Sequence, residues 1–537
     1  MQQLRKLVGN TASKERRKLF RQPHLQDTIR CMSAQETPTI EKNKIPFVIP
    51  KGTFGQPTYH THPHLIKEEH LTWGVTQAEY KKRRETLVAK LVAESENMHN
   101  THIVVIPAAR KQYMSDKIPY VFRQHSDFFY LTGCLEPSAI LVLMKPAQTD
   151  KFKSILFVHD KDAHAELWEG PRTGCTAAAR LFCMDECRPV ENFNTYLNKL
   201  TTNSKPAVLW YHNEEPANPD IHNAVRGTLR GDVNITLSDP KRALHFMRVI
   251  KSPAEIELMK ETCYIGSQSI NMAMACTKPG ISEHMVNAVL EYSCKQGGAE
   301  HLAFPPVVAG GARATHIHYV ANNQLLNANE MILVDSGSQH WMYNSDISRT
   351  WPVAGKFSKH HRILYELVLT VQKRLIELLG EQRPALDKLF DSMCRLLGKH
   401  LKEEGIISKT LEGQELYSLI YICGLYCLLM VPRVTQYVCP QRAYRLCPHH
   451  VSHYLGLDVH DAPLVRRNIP VCTNMIVTVE PGIYIRPDDT TVPKEFRGVG
   501  IRVEDDVLIT DKEPVVLTED CVKEVADIEA IVGKHTL

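Results

Sequence analysis

Short apolar runs alternate with amphipathic helical stretches along the first half of the chain. The runs HIVVIPA, SILFVHD and AVLWYH have the pattern of buried strands. Thr76 and Glu79 predict a capping box at the start of a helix in QAEYKKRRETLVAKLVAES. The segment YVFRQHSDFFYLTGCLEPSAILVLM predicts a loop followed by another strand. Because strands and helices alternate up to about Asp239, we predict an α/β domain in this half.

The pattern changes in the segment VIKSPAEIELMKET, where long helices are favoured. Ser252, Pro253 and Glu255 supply an N-cap, a proline at the first helical position and a capping box. We expect this helix to reach about Cys276 and a second helix to begin after Ser282.

The second half also carries apolar strand runs that contain acidic residues. The run MILVD ends on Asp335, and the run SDISRTWPV carries Asp346. Helices should fill about 358–405, after which MIVTVEPGIYI and GVGIRVEDDVLIT are again strand-like. We therefore predict a two-domain α/β (α+β) protein, with an N-terminal domain over 55–242 and a second domain over 243–537.

Composition agrees with this division and excludes some functions. At 537 residues the chain exceeds the size of one ordinary hydrophobic core. Its net charge of +4 is small for this length, so nothing predicts nucleic-acid binding. The 15 cysteines are scattered and no secretory signal is recognised, so we expect mostly reduced thiols in an intracellular compartment.

Residues 1–54 are expected to be a leader followed by an extended arm. The first stretch, MQQLRKLVGNTASKERRKLFRQPHLQ, is rich in Arg and Lys and has Glu15 as its only acid. That is the composition of a mitochondrial transit peptide, and also of a disordered basic tail on a cytosolic protein. We predict a mitochondrial location, with a cytoplasmic one as the alternative.

Five residues of the second half combine into one candidate metal site. Carboxylates within apolar runs are unfavourable unless they are paired or bind a cation. One imidazole and four carboxylates suit two divalent ions, such as Mn²⁺, Co²⁺ or Zn²⁺, better than a structural Cys/His zinc site. Two ions about 3.5–4 Å apart can hold a hydroxide that attacks a peptide carbonyl. The five residues are Asp335, Asp346, His453, Glu480 and Glu504.

Each of these acids taken alone has a simpler explanation. Asp335 precedes Ser-Gly, so by itself it fits a turn better than a metal ligand. A single acid beside a strand is usually a surface residue. Five such residues in order, each bounded by strand signals, favour the metal site.

The segments that carry these residues resemble a known family. VDSG, SDISRTWPV, HHVSHYLGLDVHD, VEPGIYI and GIRVEDD are similar to motifs of metallopeptidases with the pita-bread fold. YVFRQHSDFFYLTGCLEPSAILVL and LWEGPRTG further resemble the aminopeptidase P group, and the resemblance runs from about residue 55 to the C-terminus. It implies an N-terminal aminopeptidase-P-type domain, a pita-bread catalytic domain, and hydrolysis of the bond before a proline at the second position of a peptide.

The resemblance implies a role for each ligand and a cofactor. Asp335 would bind one metal, and Asp346 and Glu504 would bridge two metals. His453 would complete the second metal site. Glu480 would be a ligand and the proton shuttle. The implied cofactor is a pair of divalent ions, Mn²⁺ first, with Co²⁺ or Zn²⁺ as alternatives, bridged by the attacking hydroxide.

Substrate contacts are implied at further positions. His318 matches a histidine that assists at the scissile amide, and His460 matches one that stabilises the tetrahedral intermediate. His449 matches a histidine of the proline pocket. Tyr484 and Arg502 match positions that hold carboxylates in place. Two of these have simpler interpretations, since Arg502 could be a surface cation and Tyr484 a core residue.

The resemblance also suggests partners. Trp168 matches an aromatic residue near the site that a partner subunit supplies in some members, and a homodimer is expected. Peptides with proline at the second position are the other expected partners, and no membrane partner is predicted.

The chain departs from the family pattern just upstream of the histidine cluster, where residues 414–440 are extra. They include LYSLIYICGLYCLLMV, which is shorter than the roughly 20 residues that a transmembrane helix needs. A buried helix and an exposed insertion are both open. Because the segment precedes His449 and His453, it could displace the element that presents them.

Three hypotheses follow from these patterns. The first is an active aminopeptidase that cleaves before proline. The second is a prolidase-like dipeptidase, which the N-terminal segments disfavour. The third is a pita-bread scaffold without catalysis that binds a protein partner, which the complete ligand set disfavours.

Overall fold

The computed structural model describes part of the 537-residue chain, namely residue 49 and the ranges 51–97, 99–214, 216–229, 234–408 and 446–535. The predicted leader, 1–54, lies almost wholly outside these ranges, and the predicted insertion, 414–440, lies entirely outside them. Of the helices within the described ranges, none has the length and apolarity needed to cross a membrane.

Ten strands and seven helices make up the first half of the described chain. The strands are β1 (His70–Thr72), β2 (Val75–Thr76), β3 (Thr101–Pro107), β4 (Tyr113–Ser115), β5 (Ile118–Pro119), β6 (Ile140–Lys145), β7 (Lys153–Val158), β8 (Glu186–Pro189), β9 (Ala207–Trp210) and β10 (Ile235–Ser238). The helices are α1 (Gln77–Glu94), α2 (Ser126–Thr132), α3 (Ala163–Glu169), α4 (Cys175–Leu181), α5 (Phe193–Asn203), α6 (Pro219–Leu229) and α7 (Lys241–Val249).

Six of these strands form one mixed sheet in the order β10–β9–β3–β6–β7–β8. Successive side chains of β3 alternate between two hydrophobic clusters, with Ile103 and Val105 in one and Val104 and Ile106 in the other. Both faces of the sheet are therefore covered, which explains the nearly continuous apolar runs of its strands. The α/β prediction for this half is confirmed.

We predicted a loop between β5 and β6. This prediction was wrong in one respect, because the segment contains the helix α2. His125 caps this helix without a side-chain hydrogen bond, and Gly133 ends it in the left-handed conformation with φ of 65°. All seven helical residues are buried. No local start signal marks such a helix, so burial of residues such as Phe128 and Phe129 stabilises it.

The predicted capping box of α1 is only half formed. Thr76 accepts a hydrogen bond from the backbone N–H of Glu79, as expected. The Glu79 carboxylate instead accepts from Oγ of Ser252 at 2.6 Å and from Arg83 at 2.7 Å. Since Ser252 caps the first helix of the second half, Glu79 joins the two halves of the chain.

The second half begins with two long helices that have the predicted bounds, and a complete capping box between Ser252 and Glu255 starts the first. The helices are α8 (Pro253–Cys276), α9 (Glu283–Gln296), α10 (Lys359–Gln382), α11 (Leu386–Glu403) and α12 (Val525–Ile531). The strands are β11 (His301–Leu302), β12 (Val307–Gly310), β13 (Met331–Ser336), β14 (Ser338–His340), β15 (Tyr343–Asn344), β16 (Ile347–Pro352), β17 (Ile476–Val479), β18 (Gly482–Ile485), β19 (Val499–Arg502), β20 (Asp505–Leu508) and β21 (Val515–Val516).

Small antiparallel sheets pack against these helices around one large core. Their strand orders are β12–β13–β16, β11–β14–β15, β17–β20–β21 and β18–β19. Consecutive strands often belong to different sheets, and this arrangement decides where the acidic residues lie.

Three acids expected inside strands lie instead in short breaks between strands. Asp346 lies between β15 and β16, Glu480 between β17 and β18, and Glu504 between β19 and β20. At each break the chain passes from one sheet to another. The backbone there leaves the regular ladder, so each side chain can turn toward a common point instead of following the two-residue alternation of a strand.

Candidate metal centre and active site

Three buried side chains from separate parts of the second half meet at one point. Asp346, His453 and Glu504 each offer a ligand atom, and the three atoms lie within 4.8 Å of one another. An imidazole and two carboxylates at this spacing suit a divalent cation. The structure thus brings together three of the five predicted ligands.

The two carboxylate oxygens of Asp335 differ in their surroundings. Asp335 lies in β13 opposite Ser348 of β16. Its Oδ2 accepts a hydrogen bond of 2.6 Å from Nη2 of Arg502. Its Oδ1 is buried and has no hydrogen-bond partner among the described residues. A buried carboxylate oxygen without a donor is unfavourable, and a bound cation would satisfy it.

Glu480, the remaining predicted ligand, lies between two histidines. Its Oε1 is 3.7 Å from Nε2 of His453, and its Oε2 is 3.4 Å from Nδ1 of His449. Burial and the charge of Asp335 raise the pKa of Glu480 to about 8, against the opposing effect of Arg502. The Glu480 carboxylate therefore lies beside the group of Asp346, His453 and Glu504, on the side of His449.

The acids of this group place their negative charges close together in a buried space. Burial and the charges of Glu504 and Asp335 raise the pKa of Asp346 well above its usual value. Burial and the charge of Glu480 raise the pKa of Glu504 in the same way. Divalent cations relieve such repulsion, so the donor atoms and the charge both fit metal binding.

The ring of His453 is oriented as a metal ligand would be. Its Nδ1 lies 3.0 Å from the carbonyl oxygen of Tyr454, so Nδ1 carries the ring proton. Its Nε2 then has a free lone pair and lies 3.3 Å from Oδ2 of Asp346. Burial lowers the pKa of His453 to about 3, so the ring is neutral at pH 7 and can bind a cation through Nε2.

A chain of hydrogen bonds joins the acidic group to His449. Nε of Arg502 donates to Oγ of Ser348 at 2.7 Å, and that hydroxyl donates to Oε2 of Glu504 at 2.7 Å. Nη1 of Arg502 donates to the hydroxyl of Tyr484 at 2.6 Å, and this hydroxyl lies 2.8 Å from Nε2 of His449. Arg502 is 2% exposed, so the interpretation of it as a surface cation is wrong.

The other predicted substrate residues lie at the exposed side of the group. The ring of His460 is exposed, with its centroid 4.6 Å from that of His453. His318 is exposed, and its charge contributes to the lowered pKa of both His449 and His460, which places it near them. Trp168 lies on α3 with 78% of its surface exposed, and its expected role near a site stays a prediction.

A buried arginine on α7, the helix at the division between the two halves, anchors the segment that carries His460. Arg248, in α7, forms ion pairs with Asp127 of α2 at 2.7 Å and with Asp458 at 2.6 Å. It also pairs with Asp461. Asp458 and Asp461 flank His460, so α7 and α2 help to place that histidine. Sequence analysis missed this network, although the two acids of LDVHD were a signal for it.

Asp506 is a further buried acid that sequence analysis missed. Its Oδ2 accepts a hydrogen bond of 3.0 Å from the backbone N–H of Asp346 and one of 3.3 Å from Sγ of Cys263. It thus holds the backbone of a predicted ligand. Its signal was its place at the end of the acidic run EDD, two positions after Glu504.

Two parts of the chain match known protein families. Residues 257–511 match metallopeptidase family M24, and residues 80–210 match the N-terminal domain of aminopeptidase P. The first range contains all five predicted ligands, and the second covers most of α1 and strands β3 to β9.

Relatives and solved structures cover nearly the whole chain. It is 38% identical over 493 residues to Xaa-Pro aminopeptidase 3 of Rattus norvegicus, covering 90% of this chain and 92% of that protein. It is 34% identical over 486 residues to mitochondrial intermediate cleaving peptidase 55 of Arabidopsis thaliana, covering 90% and 88%. The crystal structure of Icp55 from Saccharomyces cerevisiae has a TM-score of 0.73, with 30% identity and 87% and 99% coverage.

Zinc-substituted aminopeptidase P of Escherichia coli, solved with its product, has a TM-score of 0.72, with 30% identity and coverage of 85% of this chain and 98% of that chain. Together, these similarities confirm the two-domain fold with a pita-bread catalytic domain.

Proposed function

The chain belongs to metallopeptidase family M24 as an aminopeptidase of the aminopeptidase P type, and we propose that it removes the N-terminal residue from peptides with proline at the second position. The observation that carries this proposal is the buried group of Asp346, His453 and Glu504, whose ligand atoms lie within 4.8 Å. Relatives that cover most of the chain are named for Xaa-Pro cleavage.

The site would hold two divalent ions. Asp346 and Glu504 would bridge them, while Asp335, His453 and Glu480 would each complete one ion's ligands. The buried Oδ1 of Asp335, which has no donor among the described residues, supports this assignment. We favour Mn²⁺ because the ligand set is rich in carboxylates, with Co²⁺ or Zn²⁺ as alternatives. When bound, such ions supply Lewis acidity and make water a nucleophile at neutral pH.

The side chains around the ligands would orient the peptide and move protons. Glu480 would take a proton from the attacking water at its carboxylate and give it to the nitrogen of proline as the peptide bond breaks. His460 would donate a hydrogen bond to the oxygen on which charge develops. His318 would contact the peptide near the scissile amide.

Selection of proline would depend on a pocket rather than on a hydrogen bond to the peptide. Proline has no amide N–H, and its ring fixes φ. His449 would line the pocket, held by the hydroxyl of Tyr484 at 2.8 Å. Arg502 donates to that hydroxyl and to Asp335, so it would connect the pocket to the metal ligands.

We propose a homodimer in which exposed apolar residues of the first half meet a second copy. Leu167 and Trp168 on α3 are 79% and 78% exposed. An ion pair of 3.0 Å between Lys111 and Glu169 joins α3 to the segment before the β4–β5 hairpin, where Tyr113 is 52% exposed. Exposed apolar groups of this kind are typical of protein interfaces.

The proposed location is the mitochondrion. The basic composition of residues 1–54 supports it, as does the name of the mitochondrial relative from Arabidopsis thaliana. We also keep the proposed domain division at about residue 243, which falls within α7, the helix that carries Arg248.

Hydrolysis of an Xaa-Pro-Xaa tripeptide by the purified chain should require added Mn²⁺. We expect release of the first residue, loss of activity on chelation by EDTA, and recovery when Mn²⁺ is restored, because the bound cations make water a nucleophile at neutral pH. Measuring free amino acid by chromatography tests this. A matched Xaa-Ala-Xaa peptide is the control and should be cleaved poorly.

Two outcomes would separate the alternatives. Cleavage of an Xaa-Pro dipeptide but not of the tripeptide would contradict the proposal in favour of a dipeptidase. The chain without residues 414–440 should be assayed in parallel. Activity in that form alone would leave the site assignment intact and identify the insertion as inhibitory.

Tyr484→Phe should raise KM for the tripeptide about 10-fold, because one lost hydrogen bond to a charged group is worth roughly 1.5 kcal/mol. The change removes the hydroxyl that accepts from Arg502 and holds His449. Steady-state kinetics measure KM and kcat separately. Tyr292→Phe, at a residue 62% exposed on α9, is the control. An unchanged KM in Tyr484→Phe would show that the hydroxyl does not shape the proline pocket.

A further inference from the structure

Glu283 is a buried carboxylate outside the metal group. It is the first residue of α9, and its side chain is 0% exposed. Its Oε1 accepts from the backbone N–H of Gly310 at 2.9 Å and from Nε of Arg313 at 2.7 Å. Its Oε2 accepts from the hydroxyl of Tyr319 at 2.9 Å and from the backbone N–H of Gln324 at 3.0 Å. Four donors on one buried carboxylate form a strong anchor.

These donors hold both ends of the loop that runs from Gly310 to Gln324. The chain enters the loop at the end of β12 and leaves it at a bridge between Ser282 and Leu325. The backbone N–H of Glu283 also donates to the carbonyl oxygen of Gln324 at 2.9 Å. Glu283 therefore holds both ends of the loop, and Asn322 ties the loop to β12 as well by accepting from the backbone N–H of Val308 at 3.0 Å.

The loop carries His318 and packs toward the site. Ala314, in the 3-10 helix Gly311–Thr315, shares a hydrophobic cluster with Tyr484. The backbone of Ala314 lies so close to Gly500 of β19 that a Cβ on that glycine would be 2.2 Å from the carbonyl oxygen of Ala314. This contact places the loop against β19, the strand that ends on Arg502. The anchored ends of the loop determine where the loop lies along that strand.

We infer that Glu283 is a positioning residue for His318, holding the loop that presents this histidine to the peptide. The inference rests on the proposed function, in which His318 assists at the scissile amide. A misplacement of about 1 Å at such a group can lower a rate about 100-fold. His318 is exposed in a turn, so the anchored loop ends determine where its ring lies.

A double-mutant cycle of Glu283→Gln and His318→Ala in the full chain tests the inference. In Glu283→Gln one carboxylate oxygen becomes an NH₂ group, which cannot accept the hydrogen bonds that the loop donates. One end of the loop is therefore released. With Mn²⁺ and an Xaa-Pro-Xaa peptide, we expect Glu283→Gln to lower kcat/KM about 10- to 100-fold. In the His318→Ala background, Glu283→Gln should lower kcat/KM by less than about 2-fold. Equal losses in both backgrounds would overturn the inference.

Glu291→Gln is the matched control. Glu291 also lies on α9, but its side chain is 53% exposed and pairs with Lys295 of the same helix at 2.8 Å. We expect its kcat/KM to stay within about 2-fold of wild type, as for surface changes. If Glu283→Gln does not fold, Tyr319→Phe removes one of the four bonds and enters the same cycle. A loss that persists without His318 would again overturn the inference.

Hydrogen exchange separates failure of this inference from failure of the proposed function, because it needs no catalysis. We expect Glu283→Gln to speed amide exchange in residues 311–323 while α8 and β13 keep their protection. If the wild-type chain proves inactive on every peptide, the proposed function fails and this measurement alone decides the anchoring. Unchanged exchange in the loop would overturn the role of Glu283.

Discussion

Replacing Asp346 with asparagine is expected to lower kcat/KM for an Xaa-Pro-Xaa peptide by at least about 1,000-fold. The carboxylate of Asp346 is one of three buried ligand groups within 4.8 Å of one another. Asparagine keeps the shape but removes the charge, and its amide offers N–H donors where a cation would bind. The packing is preserved while the metal site is lost. Kinetics with Mn²⁺, together with the metal content of the purified variant, measure the effect.

The same variant carries a second expectation in the absence of metal. Burial and neighbouring acids disfavour the charged form of Asp346, so the neutral amide should raise the melting temperature of the chain in EDTA above that of wild type. Asp488→Asn, at a side chain 72% exposed, is the control and should leave both activity and melting unchanged. Equal hydrolysis by wild type and Asp346→Asn would contradict the enzyme hypothesis and favour a binding scaffold.

Replacing Arg248 with methionine is expected to destabilise the chain by about 3–5 kcal/mol, the usual cost of leaving buried charges without their partner. Arg248 is 3% exposed and pairs with Asp127 and Asp461, which are also buried. Methionine is similar in length but cannot neutralise either acid. Activity should fall as well, because Asp458 and Asp461 flank His460.

Urea denaturation measures the stability effect, and kcat/KM at a temperature where the variant is folded measures the effect on His460. Arg374→Met on α10 is the matched control, because Arg374 is 40% exposed and pairs with Glu377 and Glu381 on the surface. Its stability should change by less than about 1 kcal/mol. If Arg248→Met unfolds at the same urea concentration as wild type, the buried network does not anchor the two halves.

The long helices were predictable because their signals are local. The capping box of Ser252 and Glu255 spans one turn, and the start of α8 follows from it. The short helix α2 has no such signal, since His125 makes no capping bond. It exists because its aromatic residues are buried against other elements, which a local pattern does not reveal.

The candidate ligands were also predictable as residue types. An acid in an apolar run is unfavourable without a partner, and Asp335, Asp346, Glu480 and Glu504 all meet that criterion. Their backbone setting was not predictable in the same way. Asp346, Glu480 and Glu504 lie in breaks where the chain passes between sheets, and periodicity alone placed them inside strands.

Residues that hold other residues in place were the hardest to find. Glu283 and Arg248 each stand among ordinary helical residues. Arg248 meets Asp127 across 121 positions of sequence and Asp461 across 213. Neither partner is visible from the neighbours of Arg248 along the chain.

The sequence by itself determined which side chains are candidates for the chemistry, where the long helices form and which family motifs the chain contains, because these are properties of residue type and of spacing within a few positions. Only the tertiary structure decided the distances between these side chains. The bond between Ser348 and Glu504 spans 156 positions, and that between Arg502 and Asp335 spans 167. A metal site needs ligand atoms within a few ångströms, and packing of several small sheets sets that spacing, which no single segment encodes.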